Sequence, residues 1–290
     1  MIEFISHSDI DKPAYDRCIK ASVNSRIYAL SWYLDAVARG WDLLALDGYQ
    51  AVMPLPRRRK YGLSYVYTPA FVQQLGVFYG GEIDQNIECE FYAKARSKYF
   101  LMDYFAHSSS SCIRKPHERR INYILNLKSD LPVLEKGFND NRRRIVKKGF
   151  KGLRIDREGD RDLFIRMCRE TDMGYKLNKE TREALERLIK SNGQMIRVWN
   201  VFIEESWAGG LVWASDQRRI TYLFPLTNSL GKNSQVPTFI LHSLIKEHQG
   251  RDLLLDLEGS MIEGVAQFYR SFGAGQEVYY HFKSRFYGLF

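Results

Sequence analysis

Apolar positions recur along this chain with two periods, and the switches between them predict its elements. The pattern predicts a first helix over residues 9–22. A second, over 30–39, has Trp32, Tyr33, Ala36 and Val37 on one face. Three strand-like runs follow at 41–46, 51–56 and 61–67, with turns at Asp47-Gly48 and at the basic tip Arg57-Arg58-Arg59-Lys60. A helix over 84–98 leads to a strand over 99–105, a polar loop over 107–112, a turn at Lys115-Pro116 and a strand over 121–127. The second half repeats this order. Helices at 160–172 and 179–191 precede strands at 195–203, 208–214 and 220–226. A helix, a strand over 253–257, a helix over 263–272 ending at Gly273, and a closing strand over 277–286 complete it.

Strands in runs followed by helices alternating with strands indicate a mixed α/β fold in each half. The repeat is one of element order, with residues 99–105 matching 253–257. Between the halves, Leu134, Phe138 and Ile145 recur at intervals of four and seven, so 131–150 reads as one helix with an apolar stripe. The expected organisation is an N-terminal domain over 1–130, a connecting helix over 131–150 and a C-terminal domain over 151–290.

Charge sharpens this picture. The 290-residue chain carries a net charge of +9, and the stretch from Arg114 to Arg154 accounts for all of it, with thirteen Lys or Arg against four acids. Arg142, Arg143, Arg144, Lys147 and Lys148 load the end of the connecting helix. The helix dipole favours cations there only in the last turn, and five within seven residues repel one another, so an anionic ligand is the alternative to a solvated helix end. Acidic and basic residues interrupt every window of membrane-spanning length, and Glu3 and Asp9 stand where a secretion signal would be basic or apolar. A cytoplasmic protein without stable membrane insertion is expected. The four cysteines form no Cys-x-x-Cys pair and the six histidines no His-x-x-x-His spacing, so neither metal nor a disulfide frame is expected, and each cysteine reads as a small buried hydrophobe.

The stretch from Asn228 to Ala274 concentrates the candidate chemistry. Loop, helix, strand, helix is a layout in which helix N-terminal amides face an anion. The candidate phosphate residues are Asn228, Ser229, Gly231, Lys232, Asn233 and Ser234, with Ser234 as a helix cap and Lys232 as a counter-charge. Glu258 lies at the C-terminal end of a buried strand, where ligands of α/β sheets gather. A carboxylate there is a candidate base, and Asp256 competes for the role. The run Gln74-Leu75-Gly76-Val77-Phe78 lacks the polar loop found after Leu226 and is expected to shape an acceptor cleft, with Gln74 as its substrate-binding candidate.

Ala266-Gln267-Phe268-Tyr269-Arg270-Ser271-Phe272-Gly273 resembles the second conserved segment of the GNAT superfamily of N-acetyltransferases. The run Trp207 to Val212, Tyr222 to Asn228 and Asp256 to Ser260, with Phe71 to Gly76 and Asn141 to Gly149, is similar to the Fem-like branch, two such domains in tandem. The resemblance runs from about Ser31 onward. It implies two GNAT-like domains, a pyrophosphate loop at Ser229 to Ser234, and Tyr269 as the acid that protonates a departing thiolate. It also implies Arg39, Arg142 and Arg143 at the phosphates of a second substrate. The implied reaction is acyl transfer from acyl-CoA or acetyl-CoA to an amine on a small or phosphate-bearing acceptor. An aminoacyl-tRNA donor is one alternative, and a catalytically silent domain pair that binds an anionic polymer is another.

Overall fold

In a computed structural model, which describes residues 1–99, 101–110, 112, 117–172, 174, 176–191, 193–259 and 261–284, the chain divides into two units. The expected Lys115-Pro116 turn and the last two residues of the expected closing strand lie outside the described residues.

Unit 1 comprises Met1–Arg120 and Val278–Phe290. Its elements are β1 (Ile2–Ile5), α1 (Lys12–Ala21), α2 (Ser31–Val37), β2 (Trp41–Leu46), β3 (Ala51–Lys60), β4 (Leu63–Tyr67), β5 (Phe78–Tyr79), α3 (Gln85–Lys98) and β6 (Met102–Ala106). Unit 2, Ile121–Glu277, takes most of β7 (Glu118–Asn126), then α4 (Leu131–Lys136), α5 (Asp140–Lys148), β8 (Leu153–Asp156), α6 (Arg161–Glu170), α7 (Lys179–Lys190), β9 (Ile196–Ile203), β10 (Ser206–Ser215) and β11 (Arg219–Thr227). It continues through α8 (Ser229–Asn233), α9 (Val236–His248), β12 (Leu254–Asp256) and α10 (Glu263–Arg270) to β13 (Gly275–Ser284), whose later residues belong to unit 1.

Each unit builds the same ladder. In unit 1 the order is β1-β2-β3-β4-β6-β13, antiparallel throughout except for the parallel pair β4–β6. In unit 2 it is β8-β9-β10-β11-β12-β7, antiparallel except for the parallel pair β11–β12. The expected match of 99–105 with 253–257 is therefore the equivalence of β6 and β12. The sixth strand is exchanged: β13, from the end of the chain, completes unit 1, and β7, from its middle, completes unit 2. That exchange moves the unit boundary to Arg120/Ile121 and returns residues from Val278 onward to unit 1, away from the expected divisions at 130 and 150.

The core of unit 2 lies between its sheet and the helices α9 and α10. Trp199, Leu211, Tyr222 and Leu255 from the strands meet Ile240, Leu241 and Leu244 of α9 and Phe272 just past α10. β10 and β11 are buried along nearly their whole length because helices cover both faces, which is why they read as apolar runs rather than alternating ones.

Three expectations need correction. The single helix over 131–150 is two helices, α4 and α5, since Asn139 accepts a cap bond from Arg142 N at 2.9 Å and starts a new helix after Gly137. The basic run Arg57 to Lys60 is strand, not turn: it pairs with β4, and the turn is Tyr61-Gly62. Cys18 and Cys168 are buried and free as expected, but Cys89 and Cys112 are joined in a disulfide with Cα atoms 5.3 Å apart. Spacing in sequence carries no information about such a long-range pair.

Candidate active site

The parallel pair of unit 2 is short. Arg219, Ile220 and Thr221 of β11 register with Leu254, Leu255 and Asp256 of β12, and there the strands part. Leu257 N turns to the Tyr123 carbonyl of β7 at 2.8 Å, and Glu258 takes a left-handed backbone (φ +52°) with its N–H on Asp256 Oδ1 at 3.0 Å. At the same level β11 carries a bulge: its register with β10 shifts between Val212↔Phe224 and Ala214↔Thr221, so Tyr222 and Leu223 together oppose Trp213. Beyond Thr221 the β12-facing edge of β11 has no strand partner among the described residues. Pro225, exposed and lacking an N–H, stands on that stretch, as fits a strand that has become an edge.

Tyr269 is set against this fork from α10. Its ring is buried beside Tyr222 and Tyr123, with centroids 6.3 and 6.1 Å away. Burial first, and then the nearby charges of Glu258 and Asp256, push its phenol well above the ordinary range, so it stays protonated at neutral pH. Its hydroxyl has no hydrogen-bond partner among the described residues. Tyr269, Glu258 and the bulge thus meet where the parallel strands separate.

Asp256 is committed elsewhere. Arg219 Nη1 donates to its Oδ2 at 2.8 Å and Glu258 N to its Oδ1, while Arg219 Nη2 donates to Glu277 Oε1 at 2.9 Å and Asn122 Nδ2 to Glu277 Oε2 at 3.1 Å. Burial alone would lower the Arg219 pKa, but the two carboxylates outweigh it and drive the guanidinium upward, locking it as a cation. A carboxylate held this way scaffolds the fork. It is a poor choice for a base.

The six residues Asn228, Ser229, Gly231, Lys232, Asn233 and Ser234 do not form an open loop. They form α8 and its two caps, and three of the amides expected to face an anion are spent internally. Gly231 N donates to Asn228 Oδ1 at 2.9 Å, Lys232 N to Asn228 O at 3.0 Å, and Ser234 N to Leu230 O at 3.1 Å. Gly231 is a packing residue. A Cβ there would sit 2.0 Å from the Ala208 carbonyl oxygen, so only glycine lets α8 lie this close to β10. Ser234 does not cap α9, since Gln235, in the left-handed region, occupies that position.

The anion-seeking group lies on α5. Arg142 is 7% exposed, its guanidinium carbon 4.8 and 4.7 Å from the ring centroids of Phe268 and Phe272. Its Nε donates to Ser271 Oγ at 3.1 Å and its Nη1 to Thr238 Oγ1 in the first turn of α9. Among the described residues no carboxylate pairs with it, and desolvation lowers its pKa. A buried, uncompensated guanidinium at a helix N-terminus is a site that gains by receiving an anion. Sequence periodicity held the signal, because Arg142 falls on the Phe138–Ile145 stripe and its basic neighbours do not. Arg143 is exposed and occupied, donating to the carbonyls of Lys136 at 3.0 Å and Phe138 at 2.6 Å and pairing with Asp140.

In unit 1 the corresponding fork is filled. After Val66↔Met102 and Tyr67↔Asp103 the pair β4–β6 parts, and Leu75 enters the gap as a parallel bridge to Ala106, its N–H on Phe105 O at 2.8 Å and its carbonyl accepting His107 N at 2.7 Å. Gln74 is fully buried beside it, bonded to Gln73 Oε1 at 2.7 Å and Ser108 N at 3.2 Å, and so is not available to a ligand. Arg39 belongs to unit 1 and is exposed after α2.

No metal-ligating group of three or more His, Cys, Asp or Glu occurs among the described residues. No family model matches the sequence. No curated protein matches it either. Solved structures do match in fold. FemX superposes with a TM-score of 0.67 at 11% identity, covering 96% of each chain. A tandem GNAT protein from the clavulanic acid biosynthesis pathway gives 0.59 at 10% identity, over 98% of each chain. Saccharomyces cerevisiae N-myristoyltransferase with bound myristoyl-CoA gives 0.55 at 10% identity, over 98% of this chain and 79% of that one. The chain has the tandem GNAT fold in its Fem-like arrangement.

Proposed function

We propose that unit 2 is an acyltransferase site, in which an activated carboxyl compound lies along the free edge of β11 and passes its acyl group to an amine. The observation that carries this reading is the Tyr269 hydroxyl, kept protonated by burial and without a hydrogen-bond partner among the described residues at the fork of β11 and β12. Acyl transfer needs donors for the developing oxyanion, an acid for the leaving group and a base for the amine. In this reading β11 amides at the Tyr222–Leu223 bulge polarise the carbonyl, Tyr269 protonates the leaving group, and Glu258 takes the amine proton. Arg142 and the first turn of α9 receive a phosphate of the donor. Asp256 holds the fork together through Arg219.

A thioester, acyl-CoA, is the first choice of donor. An N-myristoyltransferase of the same fold is recorded with bound myristoyl-CoA, and a phenol that stays protonated suits a departing thiolate. Two observations favour aminoacyl-tRNA as a second reading. The Gly231, Lys232 and Ser234 amides that would help cradle a pyrophosphate are internally bonded, and Arg144, Lys147, Lys148 and Lys151 form an exposed cationic face beside the buried Arg142. A similar fold, with a TM-score of 0.52 at 7% identity over 85% of each chain, occurs in the C-terminal domain of a putative lysylphosphatidylglycerol synthetase from Agrobacterium fabrum. The acceptor class is a small or phosphate-bearing amine.

Melting-point shifts with acetyl-CoA, longer acyl-CoAs and aminoacyl-tRNA identify the donor. With that donor and an amine panel, Tyr269→Phe is expected to lower kcat about a hundredfold while donor KM stays within about threefold, the signature of a transition-state role. Equal rates for variant and wild type remove Tyr269 from the chemistry. No turnover with any donor, alongside polyanion binding, leaves the silent binding module.

A further inference from the structure

The β3–β4 hairpin of unit 1 breaks a local rule. Its turn residues Tyr61 (φ +49°) and Gly62 (φ +81°) both take positive φ, as in a type I′ turn. Such turns favour Asn or Asp at the first position, because other side chains are strained in the left-handed region. A tyrosine stands there instead, 85% exposed, and Leu63 beside it is 63% exposed. At that exposure neither side chain belongs to the core.

The surrounding charge has one sign. Residues 57–67 hold four cations and no acid. Arg57 pairs with Asp42 at 2.7 Å and Arg58 lies over the Tyr67 ring, so both serve the base of the hairpin. Arg59 and Lys60 are exposed at its tip, without an acidic partner among the described residues. The Lys60 ammonium lies 5.2 Å from the Tyr61 ring centroid, and Arg59 Nε donates to Gly62 O at 3.2 Å, so cations, aromatic ring and turn form one cluster. Past Pro56 the hairpin is a two-stranded finger. Among the described residues β3 pairs with β2 as far as Pro56, with one further bond from Arg57 N to Gly40 O at 2.9 Å, and β4 meets β6 at Val66 and Tyr67.

We propose that this finger docks the protein on an anionic lipid surface. Tyr61 and Leu63 enter the headgroup–acyl boundary while Arg59 and Lys60 meet lipid phosphates. A tyrosine with its polar end in the headgroups, an aliphatic neighbour and a collar of cations match that interface. A nucleic acid would reward the ring and the charges but offers Leu63 nothing to pack on. One finger of this size gives reversible binding, with each cation near an anionic leaflet worth about fivefold in partition.

The test is co-sedimentation of the full chain with vesicles of phosphatidylcholine alone and of phosphatidylcholine with phosphatidylglycerol. Binding is expected to the second set only, weakening as salt rises. The double variants Tyr61→Ser/Leu63→Ser and Arg59→Glu/Lys60→Glu should each lower the bound fraction at least about fivefold, with unchanged melting points because the tip is exposed. Failure of the wild type to sediment with phosphatidylglycerol vesicles at low salt overturns the proposal. So does equal binding by either double variant, or binding of an RNA oligonucleotide at the tip in place of vesicles. Acyl transfer by unit 2 is untouched by any of these results.

Discussion

Arg142 and His107 show how burial sets the behaviour of single side chains here. Arg142 pays for desolvation without a carboxylate among the described residues to offset it, between Phe268 and Phe272. Removing an uncompensated buried charge costs little stability or raises it, whereas removing a charged hydrogen-bond donor from a phosphate costs about 1.5 to 3 kcal/mol. Arg142→Met is therefore expected to melt no lower than wild type while binding donor at least about tenfold more weakly by titration calorimetry. A large loss of stability with unchanged affinity would make Arg142 purely structural. His107 is fully buried in unit 1, with Nδ1 near Ser109 Oγ at 2.9 Å, and burial pushes its pKa down to about 4. The folded chain then binds fewer protons at this site than the unfolded chain between the unfolded value, 6.5, and about 4. Stability from this residue is full above that window and is lost as pH falls through it, by up to about 3 kcal/mol. Urea midpoints measured from pH 7 to 4.5 should fall less steeply in His107→Asn than in wild type.

At the scale of elements, α8 is defined by how closely it approaches β10. Gly231→Ala places a methyl group against the Ala208 carbonyl and Thr227, and is expected to cost about 1 to 3 kcal/mol, read as a lower melting point. An unchanged melting point would mean that α8 moves freely and can open toward a ligand. The long periodic helices and the buried strands β2, β9, β10 and β11 were legible in the sequence because their apolar runs are long and their turns marked. The strands β1 and β8 were not. Each has four residues at the edge of its unit, too few for a period to emerge. Asn139 was a readable cap signal inside 131–150, and an apolar stripe crossing it concealed the break between α4 and α5. At the site, Tyr269 and Glu258 are readable in the sequence as candidates, but the bulge at Tyr222 and the ion pair that occupies Asp256 are tertiary facts. Both depend on register between strands far apart in sequence.

Over the whole molecule, the repeated ladder differs between the units at the fork of its parallel pair. The two units share strand order and the same parallel pair, yet Leu75 bridges the fork of unit 1, whereas no segment among the described residues does so in unit 2. The order of elements announced this duplication, but the exchange of β7 and β13 was hidden, since no local pattern records which ladder a strand will join. The most direct measurement is hydrogen exchange along β11 with and without acetyl-CoA, a long-chain acyl-CoA or aminoacyl-tRNA. If the free edge of β11 holds the donor, one of these ligands slows exchange in residues 222–227 and at the start of α9, and leaves the fork of unit 1 unchanged. Unaltered exchange in 222–227 with every donor, or protection confined to unit 1, would contradict it.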